Sequence, residues 1–91
     1  MASYLIEVPH ENSKAACEQA VRIFLQSGSH FITNADWGCF DGEHKAWIII
    51  DVDEKREARN ILPPAFRKSA KITKLAKFEF DKQEQQLKVH S

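Results

Sequence analysis

Only three glycines and three prolines punctuate these 91 residues, and only two cysteines occur. With so few breakers, the chain holds no glycine- or serine-rich linker and no internal repeat. Cys17 and Cys39 allow at most one bridge, so no disulfide framework can replace a hydrophobic core. Neither sign of charge is in excess. Lys plus Arg number 13 and Asp plus Glu number 13, so nothing draws the chain electrostatically to nucleic acid or to an anionic membrane. The longest apolar run, Ala46 to Ile50, is far shorter than the roughly 20 residues of a membrane-spanning helix. Met1 to Pro9 is too short for a signal peptide and contains Glu7. The expectation is therefore a reducing cytoplasm with both thiols free.

The remaining composition is that of an ordinary globular domain, 43% hydrophobic and 29% charged, and the length suits one domain rather than two. The core of so short a chain is small, and zero net charge offers little repulsion against self-association. We read residues 1–80 as one α+β domain and 81–91 as a polar tail, frayed or disordered, in which only Leu87 and Val89 could anchor.

Periodicity supplies the elements. Tyr4, Ile6 and Val8 alternate with Leu5 and Glu7, a first strand that Pro9 ends. Asn12 or Ser13 can cap a helix running to about Gln26, with Cys17, Ala20, Val21, Phe24 and Leu25 as its stripe and Gly28 as its stop. His30 to Cys39 and His44 to Val52 read as hairpin strands joined at Asp41-Gly42. A two-residue loop would set Asp36 opposite Trp47 and Cys39 opposite His44. Asp53 can cap a second helix, with Ala58, Ile61 and Leu62 on its apolar face, which Pro63-Pro64 stops. A short turn follows at Ala65 to Ser69. Lys71 to Phe80 is then the fourth strand, through the alternation of Ala76, Phe78 and Phe80.

The order β-α-β-β-α-β is the ferredoxin-like arrangement, a four-stranded antiparallel sheet with two helices on one face and the first and third strands inside. The third strand, Ala46-Trp47-Ile48-Ile49-Ile50, has no polar side. Both of its faces want cover, and intrachain helices cover one. Trp47 and Ile49, or else Ile48 and Ile50, would join Leu5 or Ile6 in an apolar patch that water does not favour. A homodimer packed sheet to sheet would hide that patch; the alternative is the tail folded back as a lid.

The element order, the length and this two-faced strand resemble the dimeric α+β barrel superfamily over residues 3–80. The segment Asn34-Ala35-Asp36-Trp37-Gly38-Cys39-Phe40-Asp41-Gly42-Glu43-His44-Lys45-Ala46-Trp47, followed by Leu62-Pro63-Pro64-Ala65-Phe66-Arg67, looks like a signature of small, uncharacterised bacterial members. The resemblance implies architecture more than chemistry, since relatives include cofactor-free monooxygenases, lactone isomerases and haem-degrading enzymes.

Candidate site residues cluster on the predicted hairpin. His30, oriented by Asp36 on the same strand face, is a candidate general base, with His44 the other catalytic candidate. Asn34 could polarise a substrate carbonyl. Equally, Asn34 and Asp36 could satisfy local backbone. Cys39 opposite His44 could be an activated thiol or a small buried hydrophobe. Trp37, Trp47, Phe31 and Phe66 could line a ligand pocket or simply fill the core, and Arg67 could hold a ligand carboxylate at its mouth or pair with a surface acid. His30, Asp36, Cys39 and His44 lie on opposite strand faces in this pairing and do not converge, so no metal and no cofactor is expected. His10 and His90 read as solvent-exposed.

Several chemistries are set aside. There is no Gly-rich phosphate loop and no RNP-type aromatic motif. Pro9-His10-Glu11-Asn12, after the first strand, holds neither the paired cysteines of a soft-metal carrier nor an anion-cradling arginine. The functional expectation is a small-molecule-binding or assembly domain that dimerises through its sheet. The alternatives are a cofactor-free isomerase or monooxygenase-type enzyme using a His/Asp acid–base pair, and a protein–protein interaction module.

Overall fold

Alternation along the first strand becomes burial in the computed structural model, which describes residues 1–90. In β1 (Ala2–Pro9), Tyr4, Ile6 and Val8 are buried, while Leu5 and Glu7 on the opposite face stay half-open. Helix α1 (Lys14–Gln26) begins at Ser13, whose Oγ accepts from the Ala16 N–H at 3.1 Å. Ala20 and Phe24 carry its buried face, whereas Leu25 is exposed. Gly28 beyond its end takes a left-handed φ of 79°.

The next segment departs from expectation. His30 to Cys39 is not one strand: α2 (His30–Thr33) is a single helical turn, β2 is only Asp36–Trp37, and Cys39–Asp41 is a 3-10 turn. Ile32 is pulled into the core, and the Thr33 and Asn34 side chains both donate to the His30 carbonyl, closing the turn locally. The hairpin register nevertheless holds, with Asp36 opposite Trp47 and Trp37 opposite Ala46 in β3 (Lys45–Val52). The loop is wider than two residues. Gly38 accepts at its carbonyl from the Asp41 and Glu43 N–H groups, and Gly42 alone is left-handed. Cys39 and His44 are therefore not a ladder pair.

After β3, Glu54 rather than Asp53 takes the N-cap position of α3 (Lys55–Asn60), and Glu57 reaches back to accept from the Asp53 N–H. A second short helix, α4 (Pro64–Arg67), begins on Pro64, whose missing N–H costs nothing in a first turn. The fourth strand is shorter than its apolar pattern: β4 (Lys71–Leu75) ends before Ala76. The alternation of Phe78 and Phe80 belongs instead to β5 (Lys77–Asp81), which pairs with β6 (Gln86–His90). The expected loose tail is thus a strand of a second sheet, and it does not lie over the first as a lid. The side chain of His90 falls outside the described residues.

The main sheet is antiparallel in the order β2-β3-β1-β4, with β1 and β3 inside. Among the described residues, four α-helices, the 3-10 turn and a separate hairpin replace the two-helix βαββαβ chain. One face carries the core: Tyr4, Ile6 and Val8, Ala46, Ile48 and Ile50, and Ile72, covered by Phe24, Ile32, Ala58, Leu62 and Ala70.

The β5–β6 hairpin stands away from this body. The Cα radius of gyration is 15.9 Å, against about 12 Å for a compact chain of this length. Asp81 organises its turn by accepting from the Gln83 and Glu84 N–H groups. The Glu84 bond chiefly, then the Gln83 bond and Lys88, hold the Asp81 carboxyl below its ordinary value. A carboxyl so lowered supports the turn above its unfolded pKa and loses that support as pH falls through its folded pKa. Relative to the intrinsic rate at each pH, which itself slows on acidification, the Gln83 and Glu84 amides should therefore lose protection below about pH 4, the ordinary aspartate range, while β1 keeps its protection. Unchanged protection at the turn would count against this account.

Candidate functional site

The sheet face opposite the helices is uncovered. Across it Leu5 faces Ile49, Glu7 faces Trp47, and Ser3 faces Asp51. Ile49 is 66% exposed although it sits at the middle of an inner strand. Trp47 is half-buried and donates from its indole N–H to Glu7 Oε1 at 3.3 Å. Ser3 Oγ donates to Asp51 Oδ1. The α2 turn walls one side, and a concavity of ≈ 560 Å³ forms between His30, Phe31, Asn34, Asp36, Trp47 and Ile49.

Four of the expected site residues, His30, Asn34, Asp36 and Trp47, thus line one open groove. The roles foreseen for them do not follow. His30 sits on a helix and Asp36 on a strand, so they do not share a strand face, and among the described residues no hydrogen bond joins them. The His30 ring stacks on Phe31 at 5.0 Å. The Asn34 amide donates to the His30 carbonyl at 3.1 Å.

Two other candidates serve the core. Trp37 and Phe66 pack edge-on against Phe24, with ring centroids at 5.0 and 5.3 Å. Among the described residues, Arg67 has no carboxylate partner. Its guanidinium donates to the Leu62 carbonyl at 2.8 Å and the Asn60 carbonyl at 3.0 Å, satisfying the exposed end of α3. Arg59 does the same for the Arg67 and Ala70 carbonyls. Arg67→Met keeps the aliphatic stem and removes these bonds. It should cost about 2 kcal/mol in urea unfolding; a loss below about 0.5 kcal/mol would return Arg67 to the ligand-binding candidates.

The second concentration of reactive side chains was not visible from strand parity. His10, in the loop after β1, donates its backbone N–H to the His44 carbonyl at 3.0 Å, which brings the two rings to 5.5 Å in a T-shaped contact. His10 Nε2 lies 3.2 Å from Cys39 Sγ. His10 is half-buried rather than exposed, and its pKa is lowered, first by burial and then by the neighbouring His44. The ligand atoms of His10, Cys39 and His44 all fall within 4.8 Å of one another, so Cys39 and His44 do converge, though with His10 and not with His30 or Asp36. The thiols are not free: Cys39 is joined to Cys17 of α1 in a disulfide. The missed signal was His10 itself, since Pro9 ends the strand beside the loop that carries Cys39.

Both features belong to a class of protein that the fold defines only coarsely: a small α+β domain with a four-stranded antiparallel sheet, one face covered and one open. Among the described residues, no helix is long and apolar enough to cross a membrane. Comparison with family models, with curated proteins and with solved structures returned no match.

Proposed function

We propose that this chain is a small-molecule-binding or assembly domain that dimerises through its open sheet face, as a dimeric α+β barrel with a ferredoxin-like core. One observation carries the reading: the chain has two uncovered apolar faces that do not meet within it. The first is the sheet face around Leu5, Trp47 and Ile49. The second is the projecting hairpin. There Phe78 pairs with Val89 and Phe80 with Leu87, and all four side chains are exposed. Residues two apart on a strand share a face, so these four form one apolar surface. Lys77, Glu79, Asp81 and Lys88 occupy the other.

A second copy of the chain offers each face its complement, and an apolar face is rarely left in water. The groove lined by His30, Asn34, Asp36 and Trp47 would then become a cavity roofed by the partner, able to take a small ligand with a polar edge. The enzyme reading is less favoured, because its acid–base pair is not hydrogen-bonded. Sedimentation equilibrium at micromolar concentration tests the proposal. Twice the chain mass of 10.5 kDa supports it, and a single-chain mass across the range overturns it.

A further inference from the structure

We propose that His10, Cys39, His44 and Cys17 form a redox-gated Zn²⁺ site, closed by the disulfide and opened by its reduction. Three of the four donors already converge within 4.8 Å. The fourth, Cys17 Sγ, is bonded to one of them, and the two cysteine Cα atoms stand 6.9 Å apart, room enough for two thiolates to share an ion. Two imidazoles and two thiolates are the S₂N₂ set that selects tetrahedral zinc over the harder cations.

The present contacts leave the donors under-used. The Nδ1 atoms of both His10 and His44 are buried with no hydrogen-bond partner, and a disulfide sulfur is a poor acceptor for His10 Nε2. Among the described residues neither ring has a hydrogen-bond partner at Nδ1.

The gating step balances as follows. A dithiol reductant gives two electrons and two protons to the Cys17–Cys39 bond; the S–S bond breaks, two thiols form, and the reductant becomes a disulfide. Zn²⁺ then displaces one proton from each thiol, forms two Zn–S and two Zn–N bonds, and releases two protons to solvent. The position suits such a gate. Cys17 lies on α1 and Cys39 on the β2–β3 loop, so disulfide and metal each tie the same helix to the same loop.

The test uses the full chain, reduced by a dithiol and desalted under nitrogen, then titrated with Co²⁺ as a visible substitute for Zn²⁺. The expected result is one Co²⁺ per chain with a thiolate-to-cobalt charge-transfer band and tetrahedral d–d bands, both lost when Zn²⁺ is added. The oxidised chain should bind roughly tenfold or more weakly and show no charge-transfer band. His10→Gln and His44→Gln should each weaken binding by a similar factor with the far-UV circular dichroism unchanged. Cys17→Ser, which leaves Cys39 as a free thiol beside both histidines, should keep the charge-transfer band at reduced intensity. Sub-stoichiometric uptake by the reduced chain, equal binding by the oxidised chain, or an unaltered cobalt spectrum in the two histidine variants would each overturn the proposal.

Discussion

Ile49→Lys should turn the proposed dimer into a monomer without unfolding the chain. Ile49 is exposed in the single subunit, so the substitution removes almost no intrachain burial. In a two-fold interface the same side chain counts twice. Fully burying an exposed isoleucine contributes about 1.5–3 kcal/mol; Ile49 is 66% exposed, so losing two such burials costs about 2–4 kcal/mol, or roughly thirtyfold to a thousandfold in Kd. Placing an ammonium there adds a desolvation penalty of the same sign. Phe78→Lys on the hairpin arm provides an independent check, because it touches the second apolar face and leaves the sheet alone. Light scattering with circular dichroism reads both mass and fold. A dimer that survives both substitutions would show that neither face is the interface.

Gly38→Ala should destabilise the chain by about 3 kcal/mol, the upper end of the usual cost of overpacking. The added methyl would lie 2.6 Å from Trp47 Cζ3, 2.8 Å from Trp47 Cη2 and 2.7 Å from the Glu43 carbonyl oxygen. The φ of Gly38 is −99°, which any residue adopts, so the penalty is steric and not conformational. One of the clashing groups is backbone and the other is an indole held by Glu7, so neither can move cheaply. Gly42→Ala is the instructive contrast: nothing lies within 4 Å of the new methyl, but φ is +80°, and about 1 kcal/mol is the expected cost. Urea midpoints should rank wild type above Gly42→Ala above Gly38→Ala. A Gly38→Ala protein as stable as wild type would mean that Trp47 does not pack against the loop. Because Trp47 lies on the open face, Gly38→Ala should also weaken dimerisation.

These two positions show how unevenly the chain could be read. The alternation of Tyr4, Ile6 and Val8 and the Ser13 cap are local signals, and both appear where the periodicity places them. The pairing of Asp36 with Trp47 survived even though the loop beyond it was misjudged, because register is set by which residues must face the core. The segment from His30 to Cys39 was misread because a single helical turn that buries only Ile32 has no period to detect. Lys71 to Phe80 was misread for the opposite reason: its alternation is real but serves two sheets, and the break at Ala76 has no proline or glycine to mark it. Free thiols were expected because a reducing compartment was inferred, and two cysteines 22 positions apart carry no pairing signal to set against it.

What the amino-acid order determined by itself is β1, α1, β3 and the presence of one inner strand apolar on both sides, since these follow from spacings of two and of three to four residues along the chain. What tertiary structure decided is which reactive groups meet. Pro9 turns the chain so that His10 lies beside His44, and the β2–β3 loop folds Cys39 onto α1 and Cys17. Those neighbours are 22 to 34 residues apart, and only the closing of the sheet brings such distant positions within bonding range.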